Sequence, residues 1–231
     1  MIRPRWQALK PQHGLFSWRR WDQAIAVIAA VNLTWVAIDL TYIPLRNFWL
    51  QRNLYPVPSL PLVVPLPWLP DITPWLDPLK GIEPHRDTEA YLKAYTALDR
   101  ALQQNGPRTA ESNDLLQHQV VLTTALMDSN PFISSGQAGA LEKFKNRLRA
   151  RTGLESARDS ANLLLSPEHL ERSPWSQERQ FWSQQILPLV ESNYWRSIDE
   201  NGRPSDLSWR IDTPFQLLFL LDILLLSLIH I

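Results

Sequence analysis

The chain has no cysteine, which excludes disulfides, thiolate metal sites and cysteine nucleophiles. It has only seven glycines in 231 residues, and neither a GxxxxGK(S/T) nor a GxGxxG pattern, so a phosphate-cradling loop is hard to place in it. The HExxH and GxSxG patterns are missing as well. Net charge is absent too, with Lys+Arg 23 against Asp+Glu 23. A surface that tracks phosphates needs a clear basic excess, so no nucleic-acid partner is expected. The five histidines, His13, His85, His118, His169 and His230, are scattered. His169 sits with Glu168 and Glu171 just after Ser166-Pro167, where acids complement a helix N-terminus, so the cluster reads as capping rather than metal binding. The expectation is a protein that is not an enzyme and carries no metal and no cofactor.

What the sequence does have is an apolar run from Ala24 to Leu45, with no base and one acid. As a helix at about 1.5 Å per residue it reaches roughly 33 Å, close to the ~30 Å hydrocarbon core of a bilayer. It is read as a transmembrane helix over residues 21–46. Arg3, Arg5, Lys10, Arg19 and Arg20 precede the first acid, whereas only Arg46 and Arg52 follow closely behind. This asymmetry makes residues 1–20 a basic arm, the run an uncleaved anchor, and the N-terminus cytoplasmic. Several of the eleven tryptophans, among them Trp18, Trp21, Trp49 and Trp209, fall where interfacial aromatic belts sit. Asn32 and Asp39 lie seven residues apart and share a helix face. Either Asp39 reaches the interface while Asn32 bonds a neighbouring helix, or the two form a polar stripe facing other helices or water.

From Tyr55 to Pro84 nine prolines remove donors and fix φ, and extended backbone along the membrane surface or over a folded domain is expected. The segment assigned to it is 47–86. Helical periodicity begins near Asp87, read as a cap, and stops at Asn105-Gly106-Pro107. Further helices are expected over Ser112 to Asp128, Gln137 to Arg151 and Glu155 to Leu165, and after a Ser173-Pro174 cap pair, with Pro188 kinking or dividing the last. No sustained strand alternation occurs, so residues 87–208 are read as an all-α extramembrane domain. Lys143, Lys145, Arg147, Arg149 and Arg151 form a dense basic set, either a solvated helix face or a contact for acidic lipid or an acidic partner. A second apolar run, 209–231, capped by Asp212 or Thr213 and carrying Asp222, reads as the start of a second transmembrane helix cut short. Its final LSLIHI, Leu226 to Ile231, resembles the translation of a sequencing-library adapter, and the natural protein is expected to continue.

DPLKGIEPHRDT (Asp77 to Thr88), Asn130-Pro131-Phe132, LEKFKNRLRARTG (Leu141 to Gly153), ESNYWRSIDENG (Glu191 to Gly202) and Ile211 to Asp222 together resemble a family of integral membrane proteins of cyanobacteria with no function attached. The resemblance implies a helical domain inserted between the first two membrane helices, with further transmembrane helices missing from this fragment. In addition, Phe219-Leu220-Leu221-Asp222 resembles the Phe-x-x-acid of the second helix of voltage-sensor domains in cation channels, where the acid pairs with arginines of a later helix. The acid here is Asp where Glu is commoner. The expected architecture is all-α, an extramembrane helical bundle between two membrane helices in the plasma or thylakoid membrane. Two functions follow: an ion-channel-like or transport-related protein with Asp39 and Asp222 facing a bundle interior, or a scaffold or assembly protein of a photosynthetic membrane whose inserted domain binds a protein partner.

Overall fold

The computed structural model describes residues 18–54, 64–66 and 68–229. Arg3, Arg5 and Lys10 of the basic arm, residues 55–63 of the proline-rich segment and the last two residues lie outside them. In order the elements are α1 (Trp18–Gln51), β1 (Asn53–Leu54), β2 (Val64–Pro65), α2 (Thr73–Leu79), β3 (Ile82–Pro84), α3 (Arg86–Asn105), α4 (Ala110–Ser129), α5 (Ala138–Thr152), α6 (Ala157–Leu164), α7 (Pro167–Arg172), α8 (Trp175–Phe181), a π-helical turn (Trp182–Ile186), α9 (Leu187–Val190), β4 (Tyr194–Arg196) and α10 (Trp209–Ile229). The described residues are mostly helical, 72% of them, with short strands, in keeping with the all-α expectation. It divides into two compact units, Met1–Tyr42 with Leu207–Ile231, and Ile43–Asp206.

The first unit is a helical hairpin of the N-terminal part of α1 and α10. Along α1 a seam of residues turned away from solvent runs through Trp21, Ile25, Ile28, Asn32, Trp35, Asp39 and Tyr42, with Val36 and Ile38 half-buried beside it. The seam alternates in steps of four and three, the 3.5-residue repeat that keeps one face of a helix against a partner. The matching seam before and along α10 runs through Ser208, Ile211, Phe215, Leu218, Asp222 and Leu225. Over Arg20–Gln51 the first helix is long and apolar enough to cross a membrane.

The second unit is built around one apolar core. Tyr91, Tyr95, Leu98 and Leu102 of α3 recur at helical spacing, and Leu141, Phe144 and Leu148 do the same on α5. Leu116 and Leu126 of α4, Leu164 of α6, and Trp182 and Ile186 of the π turn complete it. The helix α3 ends where Gly106 takes φ +73, and Thr109 caps α4 by accepting from the Ser112 amide. Its start lies at His85 rather than at Asp87, which falls in the first turn. Ser173 does not cap α8; Pro174 holds that position, and the Ser173 hydroxyl is engaged elsewhere. Pro188 divides its helix in a particular way. It has no N–H, and one residue earlier the Leu187 amide bonds back to the Trp182 carbonyl, five residues away, which widens the turn and sets the indole of Trp182 wholly inside the core.

The structure corrects the reading of an extended proline-rich segment. Within it Thr73–Leu79 is helix and Ile82–Pro84 is strand. Pro74 sits in the first turn, where its missing donor costs nothing, and β3 is an edge strand that ends on its proline. The strand β3 pairs antiparallel with β4, Ile82 opposite Arg196 and Pro84 opposite Tyr194. Gly81 makes the turn into β3 with φ +59, and a side chain there would meet Ser197 and Ser205.

Candidate functional site

Polar contacts join α1 to α10 and to the residue just before it. The Trp21 indole Nε1 donates to Asp222 Oδ1 at 2.7 Å, and the Trp35 indole Nε1 donates to Asp212 Oδ1 at 2.8 Å. The Ser208 hydroxyl donates to Asp39. Low residue numbers of α1 meet high ones of α10 and the reverse, so the pair is antiparallel and its register is set at both ends and in between. A carboxylate inside an apolar helix pair is costly unless it accepts hydrogen bonds, and each of these three does so from a neutral donor on the facing strand of the hairpin. Asn32 lies on the same seam, half-buried. Asp39 and Asp222, singled out for their place in apolar runs, therefore belong to one ladder of contacts. Sequence reasoning missed Asp212, Trp21 and Trp35 as members. The signal was there, because both tryptophans fall on the same 3.5-residue repeat as Asn32 and Asp39.

The five cations of α5 do not share one contact. Lys145 pairs with Glu142 on its own helix, and Arg149 donates to Asn146. Arg151 reaches α8 and donates to Glu178 Oε1 at 2.8 Å. Glu178 is wholly buried, and its Oε1 also accepts from Ser173 at 2.7 Å and faces His169 Nε2 at 3.3 Å. Burial pushes this carboxyl up, but the hydrogen bonds from Arg151, Ser173 and His169 outweigh it and hold the group below its ordinary range. Lys143 and Arg147 instead line cavities on the surface.

A second constellation surrounds Arg46, 5% exposed. Its guanidinium bonds both carboxylate oxygens of Asp77, at 2.8 and 2.6 Å, donates to the Glu191 carbonyl at 2.9 Å and lies 4.5 Å over the Tyr194 ring. Arg46, Asp77 and Glu191, with Asp71, Thr73 and Leu92, line a cavity of about 260 Å³. Burial, with the charges of Asp71 and Asp77, pushes the Glu191 carboxyl up to about 7 despite Arg46. The bidentate pair fastens α2 to the end of α1, which makes Arg46 a structural residue. Among the described residues no group of His, Asp or Glu could hold a metal ion.

No protein family matches this chain, and no match was found among curated proteins or among solved structures.

Proposed function

We propose that the protein is a membrane-anchored scaffold, in which α1 and α10 form a transmembrane hairpin and residues 43–206 form a helical module held outside the bilayer for a protein partner. The observation that carries this is the contrast between the two sides of the hairpin. Outward-facing side chains are apolar and exposed, with Val27 at 63%, Leu33 at 70%, Leu40 at 72% and Ile223 at 62%, while the acids are satisfied inside by Trp21, Trp35 and Ser208. None of the apolar window of α1 is buried within the protein, unlike the core helix of a soluble domain. An apolar surface of this extent calls for lipid or a partner. The basic arm ahead of α1 favours a cytoplasmic N-terminus and an extracytoplasmic module. Neutralisation of Arg46 by Asp77 adds to that bias, since it removes a free cation from the far side.

The internal satisfaction of the acids also supports the scaffold over an ion-conducting reading, which needs carboxylates turned to water or to arginines. The test is to express the full chain with reporters at the N-terminus and at Asn105-Gly106. The chain should stay in the membrane through alkaline extraction, with the two reporters on opposite sides. Release into the soluble fraction, or both reporters on one side, sinks the anchored hairpin. In a planar bilayer the purified protein should show no conductance; conductance abolished by Asp222→Asn would replace the scaffold with the channel-like function.

A further inference from the structure

Three adjoining cavities run along the surface of the second unit, and among the described residues no carboxylate lines any of them. The first, about 340 Å³, lies between the end of α1 and the start of α5 and is lined by Asn47, Gln51, Asn53, Gln137 and Lys143. It shares Gln51 and Asn53 with a second of about 440 Å³, which adds Arg52, Arg147, Gln184 and Gln185. That cavity shares Arg147, Gln184 and Gln185 with a third of about 330 Å³, which reaches Arg151 and Gln180. In a chain with as many acids as bases, a continuous groove edged by four cations and otherwise rich in amides is a local excess of positive charge. Arg151 is committed to Glu178, but Arg52 and Arg147 have no carboxylate partner among the described residues. Among the described residues, Arg52 is also one of two other than glycine with positive φ, at 50°. It is held there by its own amide bonding Phe48 and by Leu66 bonding its carbonyl. A left-handed arginine is strained, and such strain is met most often at ligand clamps and other functional positions.

We propose that this groove binds the anionic headgroup of a membrane lipid: a phosphate or sulfonate held between Arg52 and Arg147, with the glycerol or sugar hydroxyls to which it is joined bonded by the flanking amides. Guanidinium groups match such anions in geometry and charge, and asparagine and glutamine both donate to and accept from hydroxyls. The lipid source rests on the membrane reading above. The apolar run of α1 ends at Leu45, and Asn47 opens the groove two residues on, about 3 Å along the helix axis and within the headgroup layer roughly 5–8 Å deep.

The experiment titrates the full chain, purified in a neutral detergent, with dioctanoyl phosphatidylglycerol, dioctanoyl phosphatidylcholine and inorganic phosphate, read by native mass spectrometry. Phosphatidylglycerol should bind at least tenfold more tightly than the other two. Arg52→Gln with Arg147→Gln should weaken it about 25-fold, roughly fivefold for each cation. Arg86→Gln with Arg203→Gln removes the same charge from exposed positions elsewhere and should leave binding unchanged. Arg147→Gln alone, on an exposed helix position, should show its fivefold loss with an unaltered melting temperature, which guards against a folding defect at the strained Arg52. Equal binding of the two lipids, or equal losses in the two double variants, would overturn the proposal. Phosphate binding as tightly as phosphatidylglycerol would overturn its lipid source. Alkaline extraction reports on the anchor independently, so a soluble chain that still selects phosphatidylglycerol would fail the hairpin and keep the groove.

Discussion

At the scale of single residues, the buried Glu178 and the half-buried Glu191 pull stability in opposite directions with pH. Glu178 titrates below its ordinary value of 4.5 in the folded state, so its contribution is present above pH 4.5 and is lost as pH falls through the lowered value. Glu191 titrates at about 7, so its contribution is fully present below 4.5 and is lost as pH rises toward 7. Glu178→Gln should destabilise the protein by about 2 kcal/mol at pH 7 and make acid unfolding shallower, because Arg151, Ser173 and His169 lose their charged acceptor. Glu191→Gln should stabilise it by about 2 kcal/mol at pH 8 and have no effect near pH 4. Denaturant titrations at pH 4, 6 and 8 followed by tryptophan fluorescence check both. The interhelical ladder offers a third case. Trp21→Phe and Trp35→Phe keep the ring but remove the donor to an acid, and each should lower stability in detergent by about 0.6–1.7 kcal/mol.

At the scale of elements, the helices of the second unit could be read from apolar spacing and stop signals. The 3.6-residue stripes of α3 and α5, Gly106 and Gly153 are local features that a sequence states outright. The rest depended on contacts distant in the chain. The helix α2 forms around Pro74 and Pro78 because Arg46, 31 residues earlier, grips Asp77 with both carboxylate oxygens, offsetting the bias against helix in a residue that precedes proline. The strands β3 and β4 are three residues each and lie more than a hundred residues apart, too short for alternation to show. The basic set on α5 looked like one feature because its members alternate in sequence, yet an i, i+2 spacing sends them to different helix faces, and only Lys143, Arg147 and Arg151 reach the groove. Gly81 tests the junction of α2 and β3. Gly81→Ala forces a left-handed backbone on a residue with a Cβ and drives that atom to 2.8 Å from the Ser205 Cβ, and it should cost about 2–3 kcal/mol in thermal unfolding.

At the scale of the whole molecule, the contact between Asp39 and Ser208 sits where the chain leaves the hairpin and where it comes back. The two branch points are therefore side by side, and the module they carry is an excursion that begins and ends at one place. Such a layout is modular in the genetic sense: a segment with adjacent ends can be gained, lost or exchanged by recombination without disturbing the frame that receives it. Residues 43–206 should then be replaceable by a four-residue Gly-Ser linker, which spans about 13 Å when extended. The shortened chain should still integrate into membranes, with the Trp21–Asp222 and Trp35–Asp212 pairs intact by cysteine cross-linking at neighbouring seam positions. In this view the hairpin is a general-purpose socket, and whatever distinguishes one such protein from another is written in the cartridge between its helices.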